Sequence, residues 1–171
     1  MRKILLTIIT ACAISYTIQA QEETEELQNL LSLSFGYSYV SEGAEPEGTE
    51  VTGVYVPSIG IDYFRKISPR WEIGTMIDLE LSDYLIIKKD LNRSKALVMT
   101  AIASYNPFSN VNVFAGGGIE IEKHKNLGVM RFGAEYAFVF SNDWILAPGA
   151  FYDVKEGYNT WSIAVAFGRE F

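Results

Sequence analysis

The chain has 171 residues, 49% of them hydrophobic and 13% aromatic, with 14 Gly, 5 Pro, one Cys and a formal net charge of −7. That length holds one domain. The acidic balance, without a basic patch along the sequence, argues against nucleic acid as a partner, and a lone cysteine leaves no disulfide framework.

Met1-Arg2-Lys3 is a short cationic start, Ile4 to Ile18 is largely apolar, and small Ala20 precedes polar Gln21-Glu22-Glu23. This is the pattern of a cleaved export signal over 1–20. Ser15-Tyr16-Thr17 makes the run too polar and too short for a comfortable membrane helix. Ile9-Thr10-Ala11-Cys12 has the form of a lipoprotein processing box, but the apolar run continues past Cys12, which favours a residue of the signal core. Residues 21–29 read as a short acidic periplasmic lead-in, and 30–171 as the folded domain.

From Leu30 onward the hydrophobic period is two, the period of β-strands. Leu31, Leu33, Phe35, Tyr37 and Tyr39 alternate with Ser and Gly, and the polar loop 41–50 follows. Tyr55 to Tyr63 is the second strand, with Pro57 expected at a bulge or weak point of the ladder. Residues 66–70 read as a turn. Trp71 to Ser82 is the third strand, possible as far as Ile87, and Lys88 to Arg93 reads as a charged loop. Ala96–Tyr105 is a fourth strand with poor alternation, closed by a tight turn at Asn106-Pro107-Phe108-Ser109. Val111–Glu122, Met130–Phe138, Trp144–Tyr152 and Trp161–Phe171 are the fifth to eighth. Eight strands with short connections predict an all-β fold, a closed eight-stranded antiparallel up-and-down transmembrane β-barrel.

The chemistry of the two faces selects the membrane. A water-facing surface is rich in Lys, Glu, Gln and Thr. Here the face opposite the bulky residues is mostly Gly, Ala and Ser with scattered acids, which suits a narrow lumen. Aromatic residues form two girdles: Trp71, Tyr105, Phe140 and Trp144 at the inner strand ends, and Tyr37, Tyr55 and Trp161 at the outer ends. On this register Asp62, Glu72, Asp78, Glu80, Glu120, Arg131, Glu135, Asp153 and Glu170 point inward, with Arg131 the sole inward base. A turn at 123–126 would set Arg131 opposite Gly118 and diagonal to Glu120. Arg131, Glu120, Asp78, Glu80 and Glu135 are therefore expected to form one lumen charge cluster.

The chain resembles the small eight-stranded outer-membrane barrels of Gram-negative bacteria, the OmpA/OmpX type grouped as outer membrane protein beta-barrel domains. The resemblance rests on the signal, the strand count, the girdles and the last strand, over Leu30 to Phe171. It implies that Phe171, Phe167, Val165 and Ile163 are read as an insertion signal by the barrel-insertion machinery; Arg169 departs from that pattern. It implies a monomer in outer-membrane lipid of the cell envelope. Family members act as adhesins, anchors, pores or lipid-modifying enzymes, so fold alone leaves function open.

Ester hydrolysis needs a hydroxyl nucleophile beside a histidine base. The only histidine, His124, is followed two residues on by Asn126, so the His-x-Ser pair that the lipid A deacylases resemble each other in is missing. No catalytic, cofactor-binding or metal-ligating pattern emerges. The favoured reading is a non-enzymatic structural or adhesin-like protein, contacting an extracellular protein or glycan through loops 41–50 and 82–94. The exposed edge Tyr84-Leu85-Ile86-Ile87 would accept a partner strand. A small, weakly cation-preferring, porin-like pore is the alternative, and a lipid-A-modifying barrel enzyme a more distant one.

Overall fold

The computed structural model describes residues 29–46, 50–51, 53–140 and 143–171. The expected signal peptide, Cys12 and the lead-in up to residue 28 lie outside the described residues, as do residues 47–49 of the first outer loop. The described strands, in chain order, are β1 (Asn29–Val40), β2 (Gly43–Ala44), β3 (Val54–Ser68), β4 (Trp71–Glu80), β5 (Asp83–Ile86), β6 (Leu91–Ser94), β7 (Leu97–Phe108), β8 (Val111–Ile121), β9 (Leu127–Tyr136), β10 (Phe138–Val139), β11 (Trp144–Lys155) and β12 (Asn159–Glu170). β1 thus begins one residue earlier than expected.

Eight strands form one closed antiparallel ring in the order β1-β3-β4-β7-β8-β9-β11-β12 and back to β1. The two-residue β10 prolongs the pairing of β9 with β11. The seam between β1 and β12 runs from Leu30↔Glu170 to Tyr39↔Trp161. Asn29 and Phe171 exchange two backbone hydrogen bonds of 2.8 Å at its foot. Closure leaves the ring without a free edge, a requirement where hydrocarbon offers no hydrogen-bond partner.

The alternation decides the two faces. Leu33, Phe35, Ile61, Ile73, Ile163 and Val165 stand exposed on the outside, while Ser32, Ser34, Ser38, Thr100, Ser104 and Ser162 are buried inside. At the seam Ser38 and Ser162 share a 2.7 Å hydrogen bond within the bore. Phe64, Met76, Ile102, Phe114 and Phe151 form the apolar part of the lower interior. Aromatic rings pair at both rims: Trp71 with Tyr105 and Trp144 with Phe167 at the end holding Asn29, and Tyr39 with Tyr55 and Tyr152 with Trp161 at the opposite, outer end. Phe140 is exposed near the first pairs and Tyr37 near the second. Phe171, Phe167, Val165 and Ile163 all face outward.

Four expectations need correction. β4 stops at Glu80, short of Ile87, and the expected charged loop Lys88–Arg93 belongs to a hairpin: β5 and β6 pair, joined by a 3-10 turn at Ile87–Lys89, and β2 pairs with β5 on its other side. β5 is thus the central strand of a three-stranded outer cap, and the segment expected as an exposed edge is covered, with Tyr84 and Ile86 buried. Strand pairing continues through Ser68 and Phe108, each with a bulge, so the turns expected at 66–70 and 106–109 shrink to residues 69–70 and 109–110. Arg131 pairs with Gly116, two residues from the expected Gly118. The cause is the outer turn, where the Glu122 amide donates to Asn126 and the Glu122 carboxylate accepts from the His124 amide, lengthening the loop. Pro57 makes no bulge; it lies one residue beyond the first β3–β4 pair, Ser58↔Glu80, so its missing amide falls where that ladder starts.

Candidate functional site

The bore is crossed by two ionic layers. The outer one gathers Glu80 from the end of β4, Glu120 from β8, Lys155 from β11, Arg93 from β6, Tyr84 from β5 and Tyr158 from the β11–β12 turn. Lys155 Nζ lies 2.8 Å from Glu80 and 2.7 Å from Glu120. The Tyr158 hydroxyl donates to Glu120 at 2.8 Å, and the Tyr84 hydroxyl donates to Glu80 at 2.7 Å. The two hydroxyls also meet at 2.7 Å. Arg93 pairs with Glu120, reaches Glu122 at 3.6 Å, and donates to the Lys125 carbonyl at 2.7 Å. Its side chain is fully buried. Burial, together with the Glu80 carboxylate, holds the Tyr84 phenol well above its ordinary pKa. Burial likewise raises Tyr158, against the opposing pull of Lys155.

Above this layer Val40, Val54, Val56, Tyr84, Ile86, Leu127 and Tyr158 pack together, with Leu91 against them. The cap is therefore sealed by an apolar cluster above and an ion-paired network below.

The second layer centres on Arg131 of β9. Its guanidinium makes a two-pronged contact with Asp153 at 2.8 and 2.9 Å, donates to Asp78 at 2.6 Å, and stands 4.1 Å from the centroid of the Phe151 ring. The planar fork of arginine matches a carboxylate in this way. Below it, Glu135 accepts from Asn112 at 3.0 Å, and Asp62 Oδ1 meets no donor with hydrogen-bond geometry. Two small cavities of about 10 and 20 Å³ border Asp62 and Glu135. Each has room for about one water. Nearer the inner mouth Lys66 binds Glu170 at 3.0 Å.

The single cluster expected around Arg131 is thus split. Arg131 and Asp78 meet; Glu80 and Glu120 belong to the outer layer, and Glu135 sits with Asn112. Arg131 is not the sole inward base, because Lys155 and Arg93 also point inward. Lys155 continues the inward series Phe151, Asp153, so the alternation of β11 carried its signal. Arg93 had no such signal, since its partner Glu120 lies 27 residues away. Lys88, Lys89, Lys95, Lys123 and Lys125 are exposed, with His124, on the outer loops between β5 and β9, as are Asp83 and Asp90.

The His124 ring is 57% exposed and pairs with Glu122 at 3.1 Å. Among the described residues no hydroxyl hydrogen-bonds it, and no group of His, Cys, Asp and Glu is arranged to hold a metal ion.

No family model and no curated protein sequence matches the chain. Solved structures do. The crystal structure of Ail, the attachment invasion locus protein of Yersinia pestis, aligns with a TM-score of 0.56 at 11% identity, over 85% of this chain and 99% of that one. Ail in complex with the heparin analogue sucrose octasulfate aligns at 0.51 with 10% identity, over 85% and 99%. Ail in a phospholipid bilayer nanodisc aligns at 0.50 with 12% identity, over 84% and 99%. At such identities the likeness concerns the fold. The chain has the fold of the small eight-stranded outer-membrane β-barrels of the OmpA/OmpX-like class.

Proposed function

We propose that the chain is a monomeric, non-enzymatic barrel of a bacterial outer membrane, exported through a cleaved signal and inserted with the help of its last strand. Its work is structural or adhesin-like, at the cell surface. One observation carries this reading: the bore is plugged by two buried ionic layers and capped by the β2-β5-β6 sheet, so the loops are what it offers to a partner. The plug speaks against the pore alternative, despite acidic residues along the interior. Exposed His124, whose ring meets Glu122 and no hydroxyl among the described residues, speaks against a lipid-modifying enzyme. The Ail complex with a heparin analogue makes an extracellular glycan a reasonable partner class for the outer loops.

Fractionation and heat-modifiable gel mobility test the membrane placement. A non-adherent Gram-negative host expressing the chain is expected to gain attachment to glycan-coated surfaces, and the purified barrel to give no steady single-channel conductance. A soluble mature chain, or a stable ohmic channel, would overturn the reading.

A further inference from the structure

Below the outer ionic layer, the described part of the bore holds three buried acids, Asp62, Asp78 and Asp153, and one buried base, Arg131. Asp78 and Asp153 share that guanidinium. Asp62, 2% exposed, makes no ion pair among the described residues, and its Oδ1 meets no hydrogen-bond partner. Ser34, 4% exposed, stands beside it, and its hydroxyl also lacks a partner with hydrogen-bond geometry. Ser34, Asp62, Asp78 and Glu135 line one cavity of about 20 Å³. Register brings them there. Ser34 of β1 and Asp78 of β4 both pair with Gly60, and Asp62 lies two residues along β3 on the same face. Gly60 lets them converge, since a Cβ there would run into both Ser34 Oγ and Asp78 Oδ1.

From this convergence we infer that the cavity binds one small, hard monovalent cation of the class of sodium. Its ligands are the Asp62 carboxylate, Ser34 Oγ and Asp78 Oδ1, while Asp78 Oδ2 keeps its bond to Arg131. A buried carboxylate is paired or coordinates a metal, and Asp62 has no pairing side chain. The donors are all oxygens, which hard cations prefer. The carboxylates are not arranged as a metal site by themselves; the hydroxyl and one water complete the set. The volume admits a body of that size. A divalent ion of the calcium class takes six or more oxygens, more than are gathered here, and the nearby guanidinium opposes a second charge. Glu135 also borders the smaller cavity of about 10 Å³, which reaches Leu30, the seam partner of Glu170. Acids therefore mark the way in from the inner mouth, where they raise the local cation concentration.

The test uses the full mature chain, refolded in neutral detergent micelles, with urea midpoints measured in sodium chloride and in choline chloride at equal ionic strength. Choline is too large for the cavity. With sodium at about tenfold its Kd, the parent midpoint is expected to stand about 0.7 M higher in sodium. D62N is expected to show no difference between the salts, and S34A, which keeps every charge, less than half the parent difference. D83N, altered on the exposed cap, is expected to behave as the parent. The sodium NMR linewidth, broadened by the parent and not by D62N, reads the same binding without unfolding. Heat-modifiable mobility shows which variants are folded, and S34A decides where D62N is not. A parent with the same midpoint in both salts would overturn the inference, because Asp62 would then be neutralised by a proton. Full sodium dependence in folded D62N or in S34A would overturn it too. Either failure leaves the surface role proposed above intact.

Discussion

Replacing Arg131 by Met tests the energetics of the bore. The substitution keeps an unbranched side chain of similar length and removes the guanidinium. It deletes the two bonds to Asp153, the 2.6 Å bond to Asp78 and the contact with the Phe151 ring. Asp78 and Asp153 are left buried, with side chains 10% and 3% exposed, and without the guanidinium that binds them both. Breaking a buried pair from one side costs about 3–5 kcal/mol. With a urea slope of about 2 kcal/mol per molar, the midpoint is expected to fall by roughly 2 M. Tryptophan fluorescence of the barrel in micelles, with gel mobility as a second probe, measures it. Because the loss comes from stranded carboxylates, R131M/D78N/D153N is expected to recover to within about 1 kcal/mol of the parent. A single variant within about 1 kcal/mol of the parent, or a triple variant no better than R131M, would refute the reasoning.

Replacing Arg93 by Met leaves Glu120 with Lys155 as its cation, removes the guanidinium from Glu122, and frees the β5–β6 hairpin from the Lys125 carbonyl; amides of Asp83–Ser94 are expected to exchange roughly 100-fold faster while those of β12 are unchanged. Uniform acceleration throughout the barrel would show that the cap is no separate unit. Tyr84 and Tyr158 have folded pKa values raised above the ordinary 10.0, so the cap keeps its full stability below pH 10 and loses it as pH climbs toward the folded values. At pH 10.5 the parent minus Y84F/Y158F difference at 295 nm should therefore be near zero, and a signal of two phenolates would contradict their burial. A Cβ on Gly118 would run into the Met99 carbonyl, part of the backbone of the facing strand. Gly118→Ala is expected to cost about 1–3 kcal/mol in the urea midpoint, and a neutral outcome would mean that β7 and β8 are packed less closely.

The barrel was readable because its walls obey one simple rule. Trp161, Ile163, Val165 and Phe167 look one way and Ser162, Ala164, Ala166 and Gly168 the other, and most of the long strands repeat that contrast, β7 least. The cap was not readable, for physical reasons. Asp90 and Lys95 take left-handed backbone angles, with φ of 50° and 48°, and the 3-10 turn intervenes, so no period survives from Asp83 to Ala96. Local composition there is charged, and only a contact with distant Glu120 shows why Arg93 is buried. The inward position of Arg131 followed from the alternation of β9, but its neighbours depend on register. A two-residue difference in one turn moved it opposite Gly116, and the separate pairing of β9 with β11 sets it beside Asp153, its main partner. Lys155 fell at a strand end, where alternation is easily mistaken for the start of a loop.

Every wall contact but one joins strands that follow each other along the ring of hairpins. The exception is the seam, where Asn29 and Phe171 are 142 positions apart. Hairpins can zip early from their own turns, whereas this last join must wait until the whole circle is assembled. Lesions along the β1–β12 seam, Asn29 and Phe171 at its foot included, should therefore slow the final locking step and leave the earlier zipping untouched.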